Sequence, residues 1–446
     1  MNKRINLIAL IMLFVLLITA CNASKKDQLN TNETESETLI ESQPSEESQA
    51  PVESEKPMES EEESSDGVMC GDERFSKYLP LLEGKKVALF TNQTGMAKDE
   101  HILDALIERE VDVTAVFCPE HGFRGTEDAG AVINNSVDEK TGVPIISLHN
   151  YNTHAPAQSD MDRFDVLIVD IQDVGLRYYT YYITMYYLMD ACAAYGKEVI
   201  VLDRPNPNGF YVDGPILQDA YKSGVGVLPI PIVHGMTLGE LAQMINGEGW
   251  LKAGANACNL TVIPCKNYTH QTKYELEINP SPNLKDMKAI YLYASTCFFE
   301  NTVVSVGRGT EYPFNIFGSP YLQGVSGYEF VFTPASISGA TNPQYLGTTC
   351  YGMDLRNVSL EEIWEEKINL NYIIDAYHAV LNKYPEVSFF GAQEKNGGYF
   401  VDKLFGTDEV RKMIVAGKSA AEIEASWQDD VNAFKEQRKT YLLYAE

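Results

Sequence analysis

Between Lys85 and Pro205, short apolar runs alternate with longer stretches in which apolar positions recur every three or four residues. Val87–Phe90, Val113–Phe117, Pro144–Leu148, Asp165–Asp170 and Glu198–Leu202 are continuous rather than alternating, the pattern of strands covered on both faces. Ile102–Glu110 has helical spacing, and Tyr178–Tyr195 is long enough to predict a helix. Buried strands joined through helices predict an α/β fold with a doubly wound, Rossmann-like parallel sheet over residues 68–225.

A smaller α+β domain is expected over residues 226–446, with a cleft between the two. His234-Gly-Met-Thr-Leu-Gly-Glu240 reads as a loop entering a helix, Thr237 at the N-cap and Glu240 three residues on forming a capping box. Asn279–Leu284 has turn chemistry, and Phe298–Phe314 joins an apolar stretch to glycine, arginine and carboxylate. From about Leu360 the pattern is mainly helical.

The first 67 residues follow other rules. Lys3 and Arg4 precede an apolar run, Leu7–Leu17, and Ile18-Thr19-Ala20 places small residues before Cys21. Residues 1–20 therefore read as a lipoprotein signal peptide, with Cys21 carrying the lipid. A transmembrane anchor is the competing reading, but the run falls short of the ~20 residues a span needs. Residues 21–67 are rich in Ser, Glu, Thr and Pro without an aromatic, and predict a disordered tether. The expected location is the cell membrane, lipid-anchored and extracytoplasmic.

Charge and cysteines refine this picture. Of the net charge of −28, Glu33–Asp66 supplies thirteen acidic residues against the single Lys56, so much of the acidity belongs to the tether. Nothing basic suggests a nucleic-acid partner. Eight cysteines are present, and lipidation of Cys21 would leave an odd number. Cys118 and Cys192 sit in apolar patterns as buried thiols, and Cys258 and Cys265 are candidates to pair.

In doubly wound sheets ligands bind beyond the carboxyl ends of the strands, and here all five ends are polar. They lead into Thr91-Asn92-Gln-Thr-Gly95, Pro119-Glu120-His121-Gly-Phe-Arg124-Gly125, His149-Asn150 with His154 close by, Asp170-Ile-Gln172-Asp173-Val-Gly175 with Arg177, and Asp203-Arg204-Pro-Asn-Pro207. Five such ends on one rim predict an active site, with Glu120 and His121 at its centre. No glycine-rich dinucleotide fingerprint, Walker lysine loop or H-E-x-x-H occurs, so no cofactor is expected. A metal site from His121, His149, His154 and Asp170 has no recognised zinc spacing, and no metal is assigned.

The motifs FTNQTG, PEHGFRG, DIQDVGLRYYTY, LDRPNPNG, DGPIL, PIVHGMTLGELA, SPN and SVGRGT run in this order from about Gly84 to the C-terminus. In this the chain resembles the YbbC-like family, which contains the NamZ-type exo-β-N-acetylmuramidases of peptidoglycan recycling. The resemblance implies a glycoside hydrolase that releases terminal MurNAc from the non-reducing end of peptidoglycan fragments such as MurNAc-GlcNAc. It also implies that the glutamate of PEHG, Glu120, is the catalytic carboxylate. Where relatives often read EGTN before SVGRG, this chain has Glu300-Asn-Thr-Val-Val304.

The residue chemistry agrees with that expectation. Glycoside hydrolysis needs an acid to protonate the leaving oxygen, and Glu120 with His121 beside it is the candidate. Asp170, Asp173, Asp203 and Glu300 are candidates for the second group, as is the substrate's own acetamido group. MurNAc carries a lactyl carboxylate, which an arginine would bind bidentately; Arg124, Arg177, Arg204 and Arg308 all stand in rim motifs. Asn92, His154, Gln172 and His234 complete the expected substrate contacts. The alternative is a non-catalytic surface lipoprotein that binds muropeptides in the same cleft.

Overall fold

The computed structural model describes residues 67–125, 128, 134–148, 155–252 and 257–446. The expected signal peptide, tether, Cys21, His149 and His154 lie outside them. The described residues belong to one compact unit, and among them no helix is long and apolar enough to cross a membrane.

Seven strands form the main sheet: β1 (Lys86–Thr91), β2 (Asp112–Cys118), β3 (Ser136–Val137), β4 (Pro144–Ser147), β5 (Val166–Asp170), β6 (Glu198–Leu202) and β7 (Asn259–Ile263). Their order is β3-β4-β2-β1-β5-β6-β7, parallel throughout except for the short edge strand β3. The expected doubly wound parallel sheet is therefore present. β7 escaped the hydrophobic reading because it is an edge strand with alternating exposure, so Asn-Leu-Thr-Val-Ile offers no continuous apolar run.

Side chains alternate across the sheet and both faces are covered. Ala88, Phe90, Phe117, Leu167 and Val201 pack with helices α3 (Tyr181–Tyr195) and α4 (Leu238–Gly247). Val87, Leu89, Val116, Ile168 and Ile200 pack with α1 (Phe75–Leu82) and α2 (Ile102–Glu108). Each of the valine, leucine, isoleucine and phenylalanine side chains among them, fully removed from water, contributes roughly 1.5–3 kcal/mol before the entropy of ordering is set against it.

α3 begins at Tyr181, three residues later than its spacing suggests, and stops at Gly196, whose φ of 65° places it in the left-handed region. The capping box at the start of α4 is as expected: the Thr237 N–H donates to Glu240 Oε2 (2.9 Å) and the Glu240 N–H to Thr237 Oγ1 (3.2 Å). Beyond α5 (Met287–Thr296) lies a smaller region. It contains the antiparallel sheet of β8 (Ile316–Ser319), β9 (Phe330–Phe332) and β10 (Cys350–Asp354), followed by a helical C-terminal stretch.

Arg177 ties these regions together. Its side chain is wholly buried and donates to the carbonyls of Pro215 (2.7 Å), Ile230 (2.8 Å) and Leu404 (2.9 Å). Cys258 and Cys265 bracket β7, and at ~3.3 Å per residue its five residues hold them far beyond disulfide reach. The pairing of these two that the sequence left open is excluded by the strand between them.

Candidate active site

The chain order reverses between β1 and β5, which pair side by side with Thr91 opposite Asp170. Ligand crevices of doubly wound sheets open at such a point, and the polar strand ends gather here. Glu120 follows β2, the neighbour of β1, behind Pro119. The chain then turns sharply: His121 has a φ of 71° and Gly122 of 77°. A left-handed conformation is natural for glycine but uncommon for histidine, and such backbone clusters at functional sites.

Glu120 Oε2 accepts a hydrogen bond from Thr180 Oγ1 (2.9 Å), on the residue that precedes α3. The helix N-terminus thus delivers a hydroxyl donor to the carboxylate, and its dipole favours negative charge there. Glu120 and His121 line a cavity of about 60 Å³ together with Thr180, Tyr181, Arg308 and Phe314. Arg308 also borders a second, larger cavity of about 510 Å³ shared with Glu300, Asn342 and Gln344. Its Nε donates to Glu300 Oε1 (2.9 Å) while the guanidinium lies over the Phe314 ring, 5.1 Å from the centroid. Charge pairing on one side and a ring face on the other fix its direction.

Other predicted residues support this centre from behind. Asn92 Nδ2 donates to Tyr181 Oη (3.0 Å), and its Oδ1 accepts from the Thr94 N–H and hydroxyl. Tyr179 and Tyr181 both donate to the Pro280 carbonyl at 2.8 Å, which fastens the turn at Asn279–Leu284 against the tyrosine cluster. Gln172 bridges the carbonyls of Asp173 and Pro205 (2.8 Å each). Asn301, where relatives often carry glycine, has a φ of 61°. Asparagine tolerates this region better than most residues, so Asn301 fits the turn beside Glu300.

The remaining predicted residues are placed elsewhere. Arg204 lies between Asp170 (Nε to Oδ1, 2.7 Å) and Asp72, a buried triad in which its charge is already matched. Asp203 accepts from Thr237 Oγ1 (2.7 Å), the Gly239 N–H (2.8 Å) and Tyr444 Oη (2.6 Å), anchoring the start of α4. Burial pushes its carboxyl up to about 6. His234 is buried and accepts from the Met236 N–H, and burial pulls its imidazole down to about 3. Arg124 is largely exposed and paired with Asp138 (2.8 Å). The described members of the histidine metal reading are thus apart in role: His121 faces the Glu120 cavity and Asp170 is held by Arg204.

Two contributors were not anticipated. Thr180 lies inside the stretch whose spacing predicts a helix from Tyr178, and stands instead at the boundary where α3 meets the rim. Phe314 closes the Phe298–Phe314 stretch, where the sequence assigns it no role, and it supplies the ring face beneath Arg308.

Asp173 gives the site a pH signature. It is buried, and although Oδ1 accepts from the Gly175 N–H (2.7 Å), desolvation pushes the carboxyl up to about 7. With the folded value above the unfolded ~3.9, the folded chain keeps this proton longer than the unfolded chain. Its contribution is fully present below about pH 4 and is lost as pH rises towards 7; Asp203 acts in the same direction. The melting temperature is expected to fall by several degrees between pH 5 and pH 8, and Asp173→Asn to flatten that slope. Calorimetry showing the same slope in the variant would remove this role.

A Rossmann-like sheet joined to a smaller domain, with a carboxylate, a helix-delivered hydroxyl and a fixed guanidinium around one cavity, defines an α/β protein built for polar-ligand chemistry. Residues 87–288 match the N-terminal and residues 291–444 the C-terminal region of the family described as exo-β-N-acetylmuramidase NamZ. The chain belongs to this family. It is 36% identical over 389 residues to the peptidoglycan β-N-acetylmuramidase NamZ of Bacillus subtilis (strain 168), across 84% of this chain and 90% of that one. A crystal structure of a DUF1343 family protein from Bacteroides fragilis superimposes with a TM-score of 0.76 at 55% identity, covering 85% of this chain and all of that one (100%). A second from the same organism gives a TM-score of 0.72 at 28% identity, over 84% and 99%.

Proposed function

We propose that this chain is an exo-acting β-N-acetylmuramidase that removes terminal MurNAc from the non-reducing end of peptidoglycan fragments, in cell-wall turnover and recycling. Family membership and the β-N-acetylmuramidase activity for which the Bacillus relative is named support this reading. The observation that carries the chemistry is the shared cavity of Glu120 and Arg308. Glu120 acts as the general acid: its proton passes to the glycosidic oxygen as the bond to the anomeric carbon breaks, and Thr180 then holds the resulting carboxylate. Arg308, its Nε already engaged by Glu300, presents its remaining N–H groups to the lactyl carboxylate, the group that distinguishes MurNAc from GlcNAc. Among the second-carboxylate candidates, Asp170 and Asp203 are committed to Arg204 and to α4, and Asp173 is buried. That leaves Glu300, or the substrate's acetamido oxygen, to act at the anomeric carbon.

The same proposal includes lipid attachment at Cys21, which would hold the enzyme on the extracytoplasmic face of the membrane. One experiment reads both parts. Cells producing the full chain or Cys21→Ser are fractionated, and each fraction is assayed with the para-nitrophenyl β-glycosides of MurNAc and GlcNAc. The expected result is MurNAc release from the membrane fraction of the full chain, relocated to the soluble fraction in the variant, with the GlcNAc glycoside untouched. Hydrolysis that stays in one fraction for both chains would remove the anchor. Absence of turnover in every fraction would leave a muropeptide-binding protein.

A further inference from the structure

Away from the active site, the segment entering the fold from the tether brings a second reactive pair together. Met69 and Lys266 exchange both backbone hydrogen bonds (3.0 and 2.8 Å) in an antiparallel bridge. The next residues in register, Cys70 and Cys265, therefore face each other as a non-hydrogen-bonded pair. Such pairs have Cα atoms ~4.5 Å apart, within the range a disulfide spans. Gly71 holds the segment close: its N–H donates to the Asp203 carbonyl (2.8 Å), and a Cβ there would lie 2.4 Å from the Ile263 carbonyl oxygen. The Cys265 thiol donates to the same Asp203 carbonyl that holds Gly71 (3.2 Å), and the Cys70 sulfur lies 3.8 Å from Tyr274 Oη.

We propose that Cys70 and Cys265 form a disulfide that staples the tether-bearing segment to the end of β7. The bond goes beyond the proposed activity and does not depend on it. A metal fits this corner less well. Cys70, Asp72 and Glu73 cluster here, but Asp72 is paired with Arg204 and Glu73 Oε1 accepts from the Cys70 N–H (2.9 Å).

The two sulfurs differ in reactivity. Cys70 borders a cavity of about 370 Å³. The neighbouring Cys265, the Arg204 charge and Tyr274 hold its own thiol below the ordinary range, whereas burial holds Cys265 above it. Oxidation follows by exchange. The Cys70 thiolate attacks a disulfide oxidant such as oxidised glutathione, forming a mixed disulfide and expelling one thiol. Cys265 then gives up its proton and attacks the Cys70 sulfur, expelling the second; two electrons and two protons have passed to the oxidant. Cys192 and Cys258 are also neighbours electrostatically, but no strand register opposes them.

The test uses the full chain equilibrated with reduced and oxidised glutathione, then denatured, alkylated and digested without reduction. The expected product is a linked peptide pair containing Cys70 and Cys265, with Cys118, Cys297 and Cys350 alkylated. In Cys70→Ser, Cys265 should become alkylatable. Full reduction should lower the melting temperature by about 5 °C or more in the unaltered chain and leave that of the double serine variant unchanged. Alkylation of both Cys70 and Cys265 in the unreduced chain, or a linkage joining either one to another cysteine, overturns the proposal.

Discussion

Glu120→Gln is expected to lower kcat/KM on a MurNAc-GlcNAc disaccharide by about 10²–10⁴-fold, the usual contribution of a positioned general acid. The substitution keeps the shape of the side chain, and the glutamine carbonyl still accepts from Thr180 Oγ1, so the fold should be undisturbed. A second substrate separates acid catalysis from other roles. A para-nitrophenolate leaves as a stable anion and needs little protonation, whereas a sugar alkoxide needs it badly. The loss should therefore be clearly smaller on the aryl glycoside than on the disaccharide. Equal losses on both would mean that Glu120 binds or positions the sugar, and unchanged turnover would return the chain to the class of non-catalytic muropeptide binders.

The second large effect is expected at Arg308. Charge-assisted hydrogen bonds contribute about 1.5–3 kcal/mol, so Arg308→Ala should reduce kcat/KM on MurNAc substrates by about 10–200-fold. Discrimination against GlcNAc substrates, which have no lactyl carboxylate, should shrink by a similar factor. Removing Arg308 also leaves Glu300 without its partner, and two further variants separate the effects. Glu300→Gln preserves an acceptor for Nε and should retain most of the selectivity. Arg308→Lys keeps the charge without the bidentate fork and should fall between. If Arg308→Ala slows MurNAc and GlcNAc glycosides equally, the arginine supports the cavity without reading the lactyl group.

Much of the architecture was legible because buried parallel strands write themselves as continuous apolar runs. β1, β2, β4, β5 and β6 could be located in this way, while β3 and β7, at the edges, could not. The rim was legible for a related reason: strand ends are short and their polar residues stand out. What the sequence could not sort was which rim residues face the cavity and which face inward. Asp203 and Glu120 both follow a buried strand, yet one anchors α4 and the other lines a cavity. The difference is set by donors far along the chain, Thr237 and Tyr444 for one, Thr180 for the other. Four arginines in similar motifs divide in the same manner. Arg204 meets two carboxylates, Arg177 only carbonyls, Arg124 the carboxylate of Asp138 and Arg308 the cavity. Tertiary partners, absent from any local pattern, decide those roles.

The guanidinium of Arg177 also bears on how this architecture can be rearranged. The family's two regions meet between residues 288 and 291, a boundary that invites domain exchange. Yet one of the three carbonyls around that guanidinium comes from Leu404, beyond the boundary, and Gly406 leaves the room it needs, since a Cβ there would sit 2.7 Å from Nη2. A chimera joining this N-terminal half to a relative's C-terminal half must import a backbone oxygen at the same point, together with the same gap beside it. The boundary drawn by sequence similarity is thus not a boundary of independence, since the buried charge of one half relies on a single peptide group of the other.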